Sequence, residues 1–389
     1  MIFLGTLFKR DEERNIKAHS KAALANAANT FQWAMIDGLN QVLKTPVKIW
    51  NVLPVGTFPG AYDQWKLPTR KWSYEETECL EIGCLNFPVF KQHMRFKKLK
   101  KLLKNTEERE ILIYGAYYPF LHAVENLDHS YRVTLIVTDL PEYYDYGEVS
   151  PLRRLLRRHL NLQIRRAMKR VDNFVLLTEQ MKDSLDVGER PYIVVEGISD
   201  IDHIPQIKYH SEEKVILYTG TLNKKFGIQI LLEAFSLIKD PSYRLWLCGA
   251  GDADSEIREM QKRDPRIHYY GYVTKAEAEE LTNKATVLVN PRTNEGEYTK
   301  YSFPSKTMVY MASGVPVVMF KLDGIPDEYD PYLNYVEDPS PRALANVLEK
   351  ICTMPQKEWM DMGMQAYQFI SQQKNNVIQA QKVLKLMQR

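Results

Sequence analysis

The chain has 389 residues, 44% hydrophobic and 26% charged, with a formal net charge of +3. One core serves roughly 100–200 residues, so this length implies two or three domains. The composition excludes a disordered chain, and the near-balanced charge argues against bulk nucleic-acid binding.

The opening run, residues 1–8, has no basic segment ahead of an apolar stretch and no small-residue cleavage site. It reads as a first strand, not a signal peptide. No stretch approaches the ~18 apolar residues that span a bilayer. Cys79, Cys84, Cys248 and Cys352 form no CxxC pair and no Cys/His cluster. Reduced thiols in a cytosolic protein follow, with neither disulfide nor zinc.

In the first half, strands are expected at 2–7, 47–54, 79–86, 111–115, 132–138, 173–177 and 192–195, and helices near 20–41, 92–104, 150–170 and 179–185. Gly5, after the first strand, would let a ligand approach the backbone. Asp139 ends the apolar strand 133–137 on the side where open α/β sheets bind ligands. There it could orient or deprotonate a hydroxyl, or equally serve the Asp-Leu-Pro turn. His19, His122 and His129 have no distinguishing spacing and read as structural. Residues 91–104 carry seven Lys/Arg and no acid, and residues 151–170 carry eight and no acid. Both blocks interleave apolar residues at near-helical spacing, in the second Leu152, Leu155, Leu156, Leu160, Ile164 and Met168. Basic amphipathic helices of this kind lie on anionic membrane surfaces, with Arg153, Arg154, Arg157 and Arg158 as the expected contacts; the alternative is a helix that packs its apolar stripe on the sheet and leaves its cations solvated.

A boundary is expected in 197–213, where Gly197, Pro205 and polar residues interrupt the pattern. Beyond it, strands at 215–218, 244–248, 267–270, 287–290 and 315–320 alternate with helices at 228–238, 255–263, 276–285 and 305–313. Continuous apolar strands separated by helices imply a parallel, Rossmann-like sheet. Helices near 340–352, 355–371 and 375–388 close the chain. Two such sheets in tandem make the space between domains the default ligand site.

Two segments carry chemistry. The turn Thr219-Gly220-Thr221-Leu222-Asn223-Lys224-Lys225-Phe226-Gly227 runs from a strand into a helix, where free N–H groups and lysines suit a phosphate. It is neither a Walker A nor a GxGxxG sequence. The second segment runs from Asn290-Pro291-Arg292 through Glu295, Glu297, Tyr301 and Ser302 to Phe303-Pro304-Ser305-Lys306. Ser302 or Ser305 could cap the following helix, with Pro304 at its first position. A lysine in the first turn opposes the helix dipole, unless an anion docks there too.

Gly220-Thr221-Leu222…Gly227, Gly249-Ala250-Gly251-Asp252, Gly271-Tyr272-Val273, Asn290-Pro291-Arg292 and Phe303–Lys306 followed by 311–318 occur in order at βα turns. This series resembles the donor domain of GT-B glycosyltransferases of family 4, especially bacterial polysaccharide-assembly members with an FPSK segment. The resemblance implies an α/β, GT-B-like fold, two Rossmann-like domains facing across a cleft. It implies an acceptor domain at 1–197, a donor domain at 198–350, and C-terminal helices 351–389 crossing back. It further implies hexosyl transfer with retention from a nucleotide-sugar to a saccharide or polyprenyl-linked acceptor, peripheral on the inner face of the cell membrane, with no metal or other cofactor. Gly220, Thr221, Lys224, Lys225, Gly271, Tyr272, Val273, Arg292, Glu297, Tyr301, Ser302, Ser305 and Lys306 are the implied donor-binding residues; Asp139, from its place at the strand end, is the catalytic candidate. The chain departs from the family at Thr221, where an arginine is usual. It departs again where the E-x7-E pair that contacts sugar and ribose falls on Tyr301 and Val309; Glu295 or Glu297 could stand in for the first. A nucleotide-sugar epimerase of the same fold and a non-catalytic sugar-nucleotide or polysaccharide-binding subunit stay open at this level.

Overall fold

The computed structural model describes residues 1–389 apart from Ala23, 144–150, 200–204 and 206–212. Two compact units divide the chain: residues 1–198 with 376–389, and residues 199–375. The expected boundary, 197–213, thus falls mostly outside the described residues.

In the first unit β1 (Ile2–Gly5) is followed by α1 (Glu13–His19), α2 (Asn26–Val42), β2 (Lys48–Asn51), β3 (Lys66–Leu67), β4 (Arg70–Tyr74), β5 (Thr77–Glu81), β6 (Cys84–Leu85) and α3 (Phe90–Lys104). Then come β7 (Glu110–Tyr114), α4 (Tyr118–Val124), β8 (Arg132–Val137), α5 (Pro151–Ala167), β9 (Asn173–Leu176), α6 (Met181–Ser184) and β10 (Tyr192–Val194). Eight strands form one sheet in the order β10-β9-β8-β7-β1-β2-β5-β4, and β3 pairs only with β6. All neighbours in the large sheet are parallel except the edge pair β4 and β5. From β1 the chain builds outward through β2 and β5, then returns to β7 on the other side. Such a reversal leaves a crevice at the carboxyl ends of the two central strands. The core fills from aliphatic β1, β7 and β8 and from the apolar face of α2. The expected helix 20–41 begins only at Asn26, as α2, and α1 ahead of it was not expected; Ser20, just after α1, is extended.

The second unit contains β11 (Lys214–Thr219), α7 (Ile228–Leu237), β12 (Tyr243–Cys248), α8 (Asp254–Arg263), β13 (Ile267–Gly271), α9 (Lys275–Thr282) and β14 (Val287–Asn290). It continues with α10 (Ser305–Ala312), β15 (Val317–Phe320), β16 (Asn334–Val336), α11 (Pro341–Cys352) and α12 (Gln356–Gln373). The sheet order is β13-β12-β11-β14-β15-β16 and every pair is parallel. Here the reversal lies between β11 and β14. α12 stays with this unit, its Trp359 fully buried and its indole N–H donating to Thr286 O at 2.7 Å. Only α13 (Asn376–Met387) belongs to the first unit, where Ala380, Val383, Leu386 and Met387 join the core beside α2.

Candidate donor site of the second unit

The turn after β11 and the segment after β14 flank the crevice of the second sheet. Several bonds fix the turn. The Tyr218 hydroxyl donates to Thr221 O at 2.8 Å, and Thr219 N donates to the Tyr310 hydroxyl of α10 at 2.8 Å. Gly220 N bonds Cys248 O and Leu222 N bonds Ala250 O. Lys224 N donates to Asp252 Oδ1 at 2.7 Å, and Asp252 N to Asn223 Oδ1 at 3.2 Å. The Gly249–Asp252 motif therefore braces the neighbouring turn. Gly249 has φ +131°, and a Cβ there would stand 1.8 Å from Gly220 O. Gly249→Ala is expected to cost on the order of 3 kcal/mol, from a residue forced to positive φ and a displaced turn. Urea unfolding measures it; a loss below about 0.5 kcal/mol, within the ordinary surface range, would refute the brace.

Lys306 lies in the first turn of α10. Its stem is half-buried, but its ammonium packs inward, 3.7 Å from the centre of the Tyr218 ring. Gly220 has φ +135°, a backbone conformation that favours glycine, and a Cβ there would stand 2.8 Å from Lys306 Nζ and push the ammonium aside. Burial, and then the nearby Arg292 charge, pull the Lys306 pKa down to about 7. Arg292 is itself buried, and burial lowers its pKa. Its Nη2 donates to Ser302 Oγ at 2.9 Å and its guanidinium lies over Phe226 and Tyr298, while Nε has no partner. Asn290 Nδ2, buried two residues earlier, is also unpartnered. Two neighbouring cations make no ion pair among the described residues. Such a pair lacks only an anion.

The structure corrects the capping expectation. Pro304 occupies the cap position of α10, no side chain caps it, and Ser302 serves Arg292 instead. Ser305, the first helical residue, is exposed. Thr221, Lys224 and Lys225 are exposed; Lys224 pairs with Glu256 at 3.6 Å and Lys225 lies over the Phe226 ring. Gly271 ends β13 and Tyr272 and Val273 follow it, two strands from β11 and hence roughly 10 Å along the carboxyl edge. Tyr272 projects into solvent. Glu297 and Tyr301 bound a 3₁₀ turn ahead of α10. Val309, one turn on from Lys306, is 65% exposed and offers a hydroxyl no partner. Glu328 receives the buried Lys374 ammonium at 2.6 Å, a partner the sequence did not suggest. Tyr218, Tyr310 and Phe226 were likewise missed; the one available signal was a tyrosine ending the otherwise aliphatic run 215–218.

In the first unit Asp139 follows β8, and Thr138 Oγ1 donates to its Oδ2 at 3.3 Å. The carboxylate meets solvent but stands in protein-dense surroundings that raise its pKa, against the lowering by Thr138. Buried Tyr114, at the end of β7, has its pKa raised by burial. At Gly5 a Cβ would meet Phe3 and the Gln32 amide, which bonds both backbone groups of Thr6. His19 pairs with Asp63 at 2.9 Å and His122 with Glu125 at 2.7 Å.

The basic helices differ from expectation. On α3, Lys91 and Arg95 face inward: Lys91 Nζ donates to Val55 O and Gly56 O, Arg95 to Leu53 O and to the Tyr117 hydroxyl. Burial and Arg95 lower the Lys91 pKa to about 7. On α5, Ile164 is buried as expected, but Leu155, Leu160 and Leu162 are exposed alongside Arg154 and Arg158. Arg157 is half-buried, and the Arg153 side chain lies outside the described residues. Among the described residues no helix is long and apolar enough to cross a membrane. No group of three or more His, Cys, Asp or Glu among them could hold a metal ion.

Residues 213–354 match the family model for glycosyl transferases group 1. No curated protein sequence matches the chain. Among solved structures, sucrose-phosphate synthase from Thermosynechococcus elongatus superposes with a TM-score of 0.69 at 15% identity, over 100% of this chain and 98% of that one. Anabaena HepE in complex with UDP gives 0.64 at 12% identity, over 100% and 99%. WaaG, a glycosyltransferase involved in lipopolysaccharide biosynthesis, gives 0.62 at 13% identity, over 100% and 99%. The chain therefore has the GT-B fold, and its second unit carries the glycosyl transferases group 1 segment.

Proposed function

We propose that the protein transfers a hexose from a nucleotide-sugar to a saccharide acceptor, as a family 4 type enzyme of bacterial surface polysaccharide synthesis. One observation carries the reading: Lys306 and Arg292, with no ion-pair partner among the described residues, converge on the Gly220 turn at the sheet's reversal point, within the group 1 segment. Buried cations there suit a diphosphate, whose charge they and the uncapped α10 terminus would balance without metal. The nucleoside would extend toward Gly271–Val273, and Asp139 would meet the acceptor hydroxyl. Retention of configuration accords with the family resemblance. That HepE was crystallised with UDP makes a uridine donor the first to try. Thermal-shift screening against UDP-, GDP-, ADP- and CMP-sugars is the test. A ligand at 100 times its dissociation constant stabilises by about 2.7 kcal/mol; no shift with any of them would end the donor-site reading.

We place the acceptor on a lipid carrier at the inner membrane face. The support is α5, where exposed leucines alternate with Arg154 and Arg158. Each Lys or Arg near an anionic surface contributes about 1 kcal/mol, and the Debye length shrinks from ~10 Å at 0.1 M salt to ~3 Å at 1 M. Replacing Arg153, Arg154, Arg157 and Arg158 by Gln is expected to cut binding to anionic liposomes strongly, and 1 M salt to do the same to the wild type. Equal co-sedimentation of variant and wild type would remove α5 from the surface.

A further inference from the structure

A second surface of the first unit is built differently. β3 and β6 pair through Lys66↔Leu85 and Leu67↔Cys84, and the pairing continues past the strands as Asn86 N donates to Trp65 O at 2.8 Å. Phe58 N donates in turn to Asn86 O, and the Phe58 and Phe87 rings meet edge to face at 5.6 Å. Directly after Phe87 the chain turns through Pro88-Val89-Phe90, with Phe90 N donating to Pro88 O at 2.8 Å and Val89 at φ +66°, ψ −54°. This is the γ-turn of positive φ, rare and strained for any residue and more so for a β-branched one. It displays apolar side chains: Val89 is 80% exposed, Phe90 62% and Trp65 54%.

Strain of this kind persists only where surrounding structure imposes it. Here the brace is visible. Lys91 Nζ, one residue into α3 from Phe90, bonds the carbonyls of Val55 and Gly56, and Lys91 N bonds Phe87 O. Arg95, one turn later, bonds Leu53 O. The two inward cations hold the start of α3 so that Val89 and Phe90 point out.

The surroundings are basic. Lys66 adjoins Trp65, Lys21 Nζ bonds Pro59 O, and Lys97, Lys98, Lys101 and Lys104 are exposed along α3, which has no acid. Asp63 is already paired with His19. Protein interfaces are depleted of lysine, whereas an anionic bilayer rewards it and takes Trp and Phe at its headgroup boundary. We infer that the Trp65/Val89/Phe90 tip inserts into the headgroup–acyl boundary of an anionic membrane. The inference rests on the membrane-acceptor reading but assigns the hydrophobic anchor to this tip rather than to α5.

The test uses the full chain with vesicles of phosphatidylglycerol and phosphatidylcholine, some carrying lipids brominated on the acyl chain. Brominated lipid should quench tryptophan emission in the wild type and not in Trp65→Phe. The double variant Val89→Gly, Phe90→Ala should bind vesicles at least tenfold more weakly without a lower thermal midpoint, because glycine relieves the positive φ. It should also keep wild-type nucleotide binding. Protein bound to vesicles with Trp65 unquenched, or a double variant bound as tightly as wild type, overturns the tip and leaves the α5 reading standing. No binding of wild type to any vesicle overturns both. Self-association in the absence of vesicles that the double variant abolishes would make the tip a protein interface and overturn the inference.

Discussion

Lys306→Ala is expected to weaken binding of the donor's nucleoside diphosphate about 10- to 150-fold, the equivalent of about 1.5–3 kcal/mol for a hydrogen bond to a charged group. The lysine is placed for it, with Nζ against the Tyr218 ring and the bare face of Gly220. A pH signature should accompany the loss. Burial lowers the pKa to about 7 from 10.5, so between these values the unfolded chain carries a proton on Lys306 that the empty folded protein lacks. Unfolded protein binds more protons there, and stability contributed by this group rises with pH across that window. Lys91, also brought to about 7, has the same sign. A bound diphosphate would restore the Lys306 proton. Affinity should therefore fall as pH rises from 7 to 9 in the wild type, and less steeply in Lys306→Ala. Calorimetry in two buffers of different ionisation enthalpy would detect the proton uptake. Equal affinity in variant and wild type would remove Lys306 from the site.

Asp139→Asn is expected to lower turnover ~10²–10⁴-fold, the usual worth of general acid–base assistance, while leaving donor binding unchanged. The carboxylate stands at the end of β8, next to the strand that borders the first unit's crevice. Its pKa is raised by its surroundings. The acid limb of kcat/KM should accordingly lie above the ordinary Asp range and vanish in the variant. Wild-type turnover in a folded Asp139→Asn protein would reduce Asp139 to a turn residue.

Much of the second unit was legible in the sequence. Its central strands β11, β14 and β15 are short, mostly aliphatic runs buried on both faces, and glycine, proline or a capping residue precedes most of its helices, so period and punctuation agree there. The strand at 287–290 fell where expected. In the first unit the missed elements were those with weak patterns. α1 buries a single residue, Ile16. β4 is an edge strand of half-exposed residues and β3 has two residues, while the expected strand 79–86 is divided between β5 and the two-residue β6.

The site divides the same way. Local anomalies picked out Gly220 and Lys306, a glycine at a βα turn and a lysine against the helix dipole, whereas Arg292 was assigned to the site only through the family resemblance. Their convergence is tertiary: β11 and β14 are neighbours though some 70 residues apart, and only that pairing brings Tyr218 beneath Lys306. Helical spacing likewise marked α3 and α5 as basic and amphipathic. It could not say that Lys91 and Arg95 would find backbone carbonyls inside while Leu155 and Leu162 faced out. A long cation goes wherever enough oxygen acceptors await it, and those acceptors sit on loops that the sequence places far away. Thus the sequence by itself determined the alternation of strands and helices, the phosphate-suited turn and its lysine. The tertiary structure alone decided which charges are buried, which apolar side chains are displayed, and what each functional group touches, because contacts between distant segments exist only once the sheet order is set.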